Sequence, residues 1–264
     1  MSGPSRVLVL GATGFVGRSV CARLAGAGSA LRALTRDRLK SRPLHVIPSL
    51  EVVEGSPHDD GDLARALDGM DAVVNLVGIL HQSRRESFEK VHAQLPARLA
   101  RACRAAGVLR LVHVSALHAD PGGPSEYLRS RGRGEAALRS EGEGLAVTIL
   151  KPSVIFGRDD SFLNLFAGLV RPLPLVPLAG AGVRFQPVWV EDVAGAVAAC
   201  LVDSRTAGKA YDLCGPRAYT LAEIVRFVAR LQGLERAIVP LPGWAAYAQA
   251  LVLERLPGPV MTRD

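Results

Sequence analysis

The sequence predicts an α/β protein, a doubly wound parallel sheet carrying a small C-terminal lobe. Three observations predict it. Short apolar runs alternate with helix-patterned segments through roughly the first 150 residues, as in strand–helix–strand units whose sheet is covered on both faces. The first strand-like run leads into a glycine-rich turn and then a helical pattern. Past Pro152 the alternation loosens, and prolines crowd RPLPLVPLAG (171–180). The expected division is 1–152 for the sheet domain and 153–264 for a lobe packed on the same sheet as a single structural unit.

RVLVL (6–10) reads as the first strand. Val16, Val20 and Leu24 then repeat at helical spacing, and Gly28 supplies a helix stop. ALRAL (30–34) and LEVVEG (50–55) read as the second and third strands, DLARAL (62–67) as a short helix and DAVVNLVG (71–78) as a buried fourth strand. A longer helix is expected over 87–107, kinked by Pro96. LRLVHVSAL (109–117) is the fifth strand, 126–140 a helix and LAVTILKP (145–152) the sixth strand.

Hydrophobic residues make up 48% of the 264-residue chain, enough for a sizeable core and too much for a disordered chain. The longest apolar runs, AVVNLVGIL and FLNLFAGLV, fall short of the roughly 18 residues of a membrane span. RVLVL begins so early that no signal peptide is expected, and Cys21, Cys103, Cys200 and Cys214 lack any C-x-x-C pairing. A cytoplasmic location with reduced thiols is the expectation, with peripheral attachment at the inner membrane as a variant of it. The net charge of +7 comes from arginines spread along the chain (only four residues are lysine), without an aromatic-rich binding motif. That pattern argues against a nucleic-acid partner.

Between the first strand and the first helix stands Gly11-Ala-Thr-Gly14-Phe-Val-Gly17. In that position glycines permit a tight turn and let the backbone approach a pyrophosphate at the positive end of the helix. The second strand ends in Leu34-Thr35-Arg36-Asp37-Arg38. An acidic residue there hydrogen-bonds the ribose 2′-hydroxyl of NAD, whereas an arginine accommodates the 2′-phosphate of NADP. Arg36, with Arg38 as a second contact, favours NADP(H), because a guanidinium grips phosphate through paired hydrogen bonds. Asp37 keeps NAD(H) open, and a solvated charged loop is the plain alternative.

GATGFVG, NLVGIL, VSAL, YLRSR, LKPSVIFG and RFQPVWVEDVA together resemble the atypical short-chain dehydrogenases/reductases. The resemblance is to the branch containing the NADPH-binding alpha-subcomplex accessory subunit of respiratory complex I and its bacterial relatives, and it runs from Arg6 to about Pro259. It implies a Rossmann-like sheet with a small C-terminal substrate lobe. It also implies cofactor contacts from Gly11, Thr13, Gly14, Phe15, Val16 and Gly17, from Val77 and Gly78, and from Pro152 beside the nicotinamide. Ser56 stands where many relatives carry an aspartate near the adenine.

In working members of the family, a tyrosine hydroxyl exchanges the proton while hydride moves at the nicotinamide. A lysine four residues on lowers the tyrosine pKa and holds the ribose, and a serine after the fifth strand orients the carbonyl. The resemblance therefore implies catalytic positions Tyr127, Ser115 and Arg131, with arginine in place of lysine. Tyr127 and Arg131 share one helix face at i, i+4. Arginine can donate hydrogen bonds to ribose hydroxyls, yet it stays charged and cannot relay a proton. The expectation is an NADP(H)-binding, reductase-like protein of weak or lost catalysis, serving as an accessory to a respiratory chain or quinone pathway. An active NAD(P)-dependent oxidoreductase or nucleoside-diphosphate-sugar epimerase or dehydratase acting on an unknown small molecule is the alternative.

Other candidates carry less. Lys151 is the one other lysine near the expected pocket. His113 and His118 lack metal-ligand spacing, so no metal is assigned. Glu191 and Asp192 are expected to cap a following helix, and Arg184, Phe185 and Gln186 to line the lobe or form a plain strand. Trp244, Tyr247 and Leu251 form one helical stripe, which either packs on the lobe or docks a membrane surface or protein partner.

Overall fold

The computed structural model describes residues 3–84 and 86–241. The chain runs through β1 (Arg6–Leu10), α1 (Phe15–Gly26), β2 (Ala30–Thr35), a 3-10 turn at Leu39–Leu44, β3 (Leu50–Glu54), α2 (Asp60–Leu67) and β4 (Ala72–Asn75). A π-helical stretch at Glu89–Gln94 leads into α3 (Leu95–Ala105), followed by β5 (Arg110–Val114), α4 (Glu126–Glu141) and β6 (Ala146–Pro152). Next come β7 (Ile155–Phe156), α5 (Ser161–Val170), β8 (Leu175–Leu178), β9 (Arg184–Phe185), β10 (Val188–Trp189), α6 (Val190–Val202) and β11 (Ala210–Leu213). The described part ends with β12 (Tyr219–Thr220), α7 (Leu221–Leu231) and β13 (Ala237–Pro240).

These elements form two compact units, one of the described residues up to Pro152 with Val190–Leu213, the other of Ser153–Trp189 with the described residues from Cys214 on. In the first unit, seven parallel strands stand in the order β11-β6-β5-β4-β1-β2-β3. The order reverses between β1 and β4, which opens a crevice at the carboxyl ends of those strands, where doubly wound sheets bind ligands.

Alternation along the strands builds the two covers. Val7 and Val9 of β1, with Ala33, Val74 and Val112, face α1 and α6 through Val20, Leu24, Ala194 and Val197. Leu8 and Leu10, with Leu34, Val73 and Leu111, face α2, α3 and α4 through Leu63, Leu67, Leu99 and Leu138. Each leucine or valine removed wholly from water contributes about 2 kcal/mol.

Two features depart from the sequence pattern. The expected single helix over 87–107 is instead a π turn followed by α3, and Pro96 falls in the first α-helical turn. Val190–Leu213 also belongs with the sheet domain and not beyond the boundary at 152. The reason is packing: α6 buries Val193, Ala194, Val197 and Leu201, and β11 adds an edge strand beside β6. Glu191 and Asp192 lie in the first turn of α6, where the helix dipole favours acidic residues.

The second unit packs α5 on α7 around Phe166, Val170, Val225 and Val228. The proline-crowded 171–180 stretch contains β8, which pairs in parallel with β13. Arg184 and Phe185 form β9, paired with β12. The stripe of Trp244, Tyr247 and Leu251 lies outside the described residues. Among the described residues no helix is long and apolar enough to cross a membrane.

Candidate functional site

Strand register brings the glycine loop, Arg36 and Gly78 to one edge. Leu10 is level with Leu34 of β2 and with Asn75 of β4, so the chain leaves all three strands at the same end of the sheet. Gly11 adopts φ +81°, and a Cβ there would press within about 3.0 Å of the Leu76 backbone. Gly17 packs against the turn itself, since its Cβ would come within 2.6 Å of the Ala12 carbonyl oxygen. The turn is closed by the Gly14 N–H donating to the Gly11 carbonyl at 3.1 Å.

Gly14 occupies the N-cap of α1 and has no side chain to offer the first-turn amides. Those N–H groups have no acceptor within the helix and carry its positive end. Gly14 is exposed, Thr13 and Phe15 are half-buried, and Val16 packs on the core beneath α1. The cradle fits a pyrophosphate: an exposed glycine at the N-cap and first-turn N–H groups that no N-cap side chain covers.

At the end of β2, Asp37 is committed to the backbone. Its Oδ1 accepts from the Leu39 N–H at 2.9 Å and the Lys40 N–H at 3.4 Å, capping the 3-10 turn. Arg36 remains 54% exposed, with Nη1 2.6 Å from Glu86 Oε1. Arg38 stands 4.0 Å from Glu54 and is more exposed. Ser56 is tied locally, its N–H donating to Asp62 and its hydroxyl accepting from the His58 N–H. Burial, then the positive charges of Lys90, Arg36 and Arg98, hold His58 below the ordinary imidazole range.

On the other side of β1, the structure brings Tyr127, Arg131 and Gly78 together. Ser125 caps α4 by accepting from the Leu128 N–H, and one turn of helix separates Tyr127 from Arg131. The Arg131 guanidinium lies 5.4 Å from the Tyr127 ring centre, and Nη1 donates to the Val114 carbonyl at 3.3 Å. Arg131 Nε is buried and has no hydrogen-bond partner among the described residues. The absence of a side chain at Gly78 makes room, because a Cβ there would come within 3.0 Å of Arg131 Cζ. Val77 donates its N–H to Asn75 Oδ1, and buried Pro152 ends β6 and accepts from the Leu117 N–H.

Ser115 stands apart in its bonding. It is buried, and its hydroxyl donates to Glu135 Oε1 at 2.6 Å. Glu135 Oε2 faces Arg139 at 3.4 Å and Lys151 at 3.7 Å, and Lys151 also donates to the Ala119 carbonyl. A serine has one proton, and here the buried carboxylate takes it.

Sequence reasoning missed Glu135 and His92, and it weighed His113 only as a metal ligand. His92 Nε2 accepts from the Ile79 N–H, while Nδ1 meets Ser130 Oγ at 2.9 Å. Ser130 gives its own proton to the Tyr127 carbonyl, so Nδ1 must be the donor and the ring is neutral. His92 also stacks on Phe88 and meets Tyr127 edge-on. Asn75 Nδ2 donates to His113 Nδ1, an orientation fixed by its Oδ1 accepting from Val77. Burial, then the Arg131 charge and coupling to the neighbouring His113, pushes His92 down to about 2; burial, then Arg131, pushes His113 down to about 3. The readable signal was a histidine on an otherwise apolar helix face, four residues after Phe88.

Residues 11–164 match a protein family described as NAD(P)H-binding. The mouse (Mus musculus) protein named NADH dehydrogenase [ubiquinone] 1 alpha subcomplex subunit 9, mitochondrial, is 34% identical over 240 residues, covering 89% of this chain. The chain spans 62% of that relative's length. A protein of Caulobacter vibrioides named ceramide reductase is 31% identical over 247 residues, with 89% of this chain and 73% of that protein covered. Among solved structures, a dTDP-glucose 4,6-dehydratase from Streptomyces venezuelae with NAD bound is similar at TM-score 0.77 and 25% identity, over 89% of this chain and 84% of that one.

Proposed function

This chain belongs to the NAD(P)H-binding family of short-chain dehydrogenase/reductase-like proteins, and from that premise we propose an NADP(H)-holding protein whose catalysis is weak or lost. Arg36 carries the choice of dinucleotide. At the end of β2 the acidic neighbour, Asp37, gives its carboxylate to the 3-10 turn, while the Arg36 guanidinium, paired with Glu86, stays 54% exposed at the sheet edge from which the glycine loop leaves. Gly11, Gly14 and the first-turn amides of Phe15, Val16 and Gly17 would hold the pyrophosphate, and Thr13 would face it. Val77, Gly78 and Pro152 line the edge toward the reacting end.

Bound there, the dinucleotide supplies or accepts a hydride at its nicotinamide. Tyr127 would be the hydroxyl that exchanges the proton, and Arg131 holds positive charge beside its ring without being able to pass a proton on. Ser115 would have to donate to a substrate carbonyl, and that proton is committed to Glu135. Both features support weak or lost turnover. The names of relatives in respiratory complexes support an accessory role to a respiratory chain or quinone pathway, with a protein or membrane-surface partner and a cytoplasmic or inner-membrane-peripheral location. The competing reading, an active oxidoreductase or nucleoside-diphosphate-sugar epimerase with a small-molecule substrate, draws on the Tyr127–Arg131 pairing and on the ceramide reductase.

Arg36→Gln tests the dinucleotide assignment. NADPH affinity is expected to fall about tenfold or more, the worth of a charge-assisted hydrogen bond. NADH affinity should change less than about twofold in the same titration. Equal losses for both would contradict the phosphate contact.

A further inference from the structure

Among the described residues, Glu86 is the ion-pair partner of Arg36. The two carriers come from different strands: Arg36 follows β2, and Glu86 lies on the segment after β4. In the sheet β2 and β4 flank β1, so the pair bridges the edge from which the glycine loop leaves. Glu86 is 23% exposed against 54% for Arg36, and a local turn fixes its backbone. Its N–H donates to Ser83 Oγ at 3.1 Å, and the Ser83 N–H donates to its carbonyl at 2.8 Å. Lys90, Arg36 and Arg98 all act on His58 as positive charges, and Glu86 acts in the opposite sense.

We propose that Glu86 is a specificity-determining residue, a carboxylate that occupies Arg36 and competes with the 2′-phosphate of the dinucleotide for it. The idea rests on the reading of Arg36 as the phosphate contact. A phosphate monoester carries about −1.5 to −2 charge near neutral pH and three acceptor oxygens, so it can displace a single carboxylate from a guanidinium. It does so against repulsion from the displaced Glu86. The unphosphorylated dinucleotide presents a neutral hydroxyl and does not contend for Arg36. Glu86 therefore narrows the preference for NADPH over NADH without contributing a contact to either.

Fluorescence titration of the purified chain with NADPH and with NADH, for wild type, Glu86→Gln, Arg36→Gln and the double variant, tests this. Glu86→Gln is expected to tighten NADPH on the order of fivefold, the scale of a half-exposed ion pair, and to shift NADH less than about twofold. In the Arg36→Gln background the same substitution should have no effect on either. If Arg36→Gln discriminates between the dinucleotides and Glu86→Gln does not, the role of Glu86 is overturned and the phosphate contact stands. If Arg36→Gln weakens both equally, the underlying reading fails first. Because Glu86 is partly exposed and its turn is made by backbone, Glu86→Gln keeps the fold; Glu86→Asp, which retains the charge, should titrate like wild type.

Discussion

Gly17→Ala is expected to lose dinucleotide binding and to destabilise the protein by about 1–3 kcal/mol or more, the range for a group forced into packed atoms. The new Cβ would fall within 2.6 Å of the Ala12 oxygen and 2.7 Å of its carbonyl carbon, and it would also crowd the Gly11 oxygen. These are backbone atoms of the turn itself, so relief requires moving the loop that has to meet the pyrophosphate. For a chain of this size the melting temperature should drop about 2–6 °C. Gly26→Ala on the same helix is the control, since nothing lies within 4 Å of its added carbon. It should be neutral or stabilise by up to about 1 kcal/mol. A Gly17→Ala protein that melts and binds NADPH like wild type would refute this account of the cradle.

The second large effect is loss of stability in mild acid. His92 and His113 are buried and neutral, held down to about 2 and about 3 against 6.5 in the unfolded chain. Between those values the unfolded state binds more protons than the folded one, so stability is whole above pH 6.5 and falls as pH is lowered toward the folded-state values. At pH 5 each histidine withdraws about 2 kcal/mol relative to pH 7.5. Urea unfolding at the two pH values measures the difference. His92→Gln, which can still accept from Ile79 and donate to Ser130, should remove about half of it. Stability that is level from pH 7.5 to 5 would mean that the histidines are not held neutral by the fold.

Much of the sheet domain was legible because its signals are local. RVLVL alternates residues between two covers, the glycine turn announces the entry to α1, and Arg36 follows β2 by position alone. The features that escaped depend on contacts distant in sequence. A π turn and an α-helix place apolar residues at similar spacing, so nothing at 89–94 announced the wider winding. The return of Val190–Leu213 to the sheet depends on pairing with β6, some sixty residues earlier, which no window of sequence displays. Ser115 looked like a catalytic hydroxyl because its position follows β5. Its bond to Glu135 appears only once α4 is packed against the strand ends. The arginine at position 131 was the visible departure, while the buried histidines and the space at Gly78 that accommodate it were not.

The central claim is that this chain holds NADP(H) at the edge formed by the glycine loop and Arg36. Titrating the purified chain with NADPH and NADH, followed by nicotinamide fluorescence and by the rise in melting temperature, tests it most directly. Saturable binding of one NADPH per chain, weaker binding of NADH and a melting temperature that rises with NADPH concentration are expected. Absence of saturable binding and of any thermal shift with either dinucleotide would contradict it.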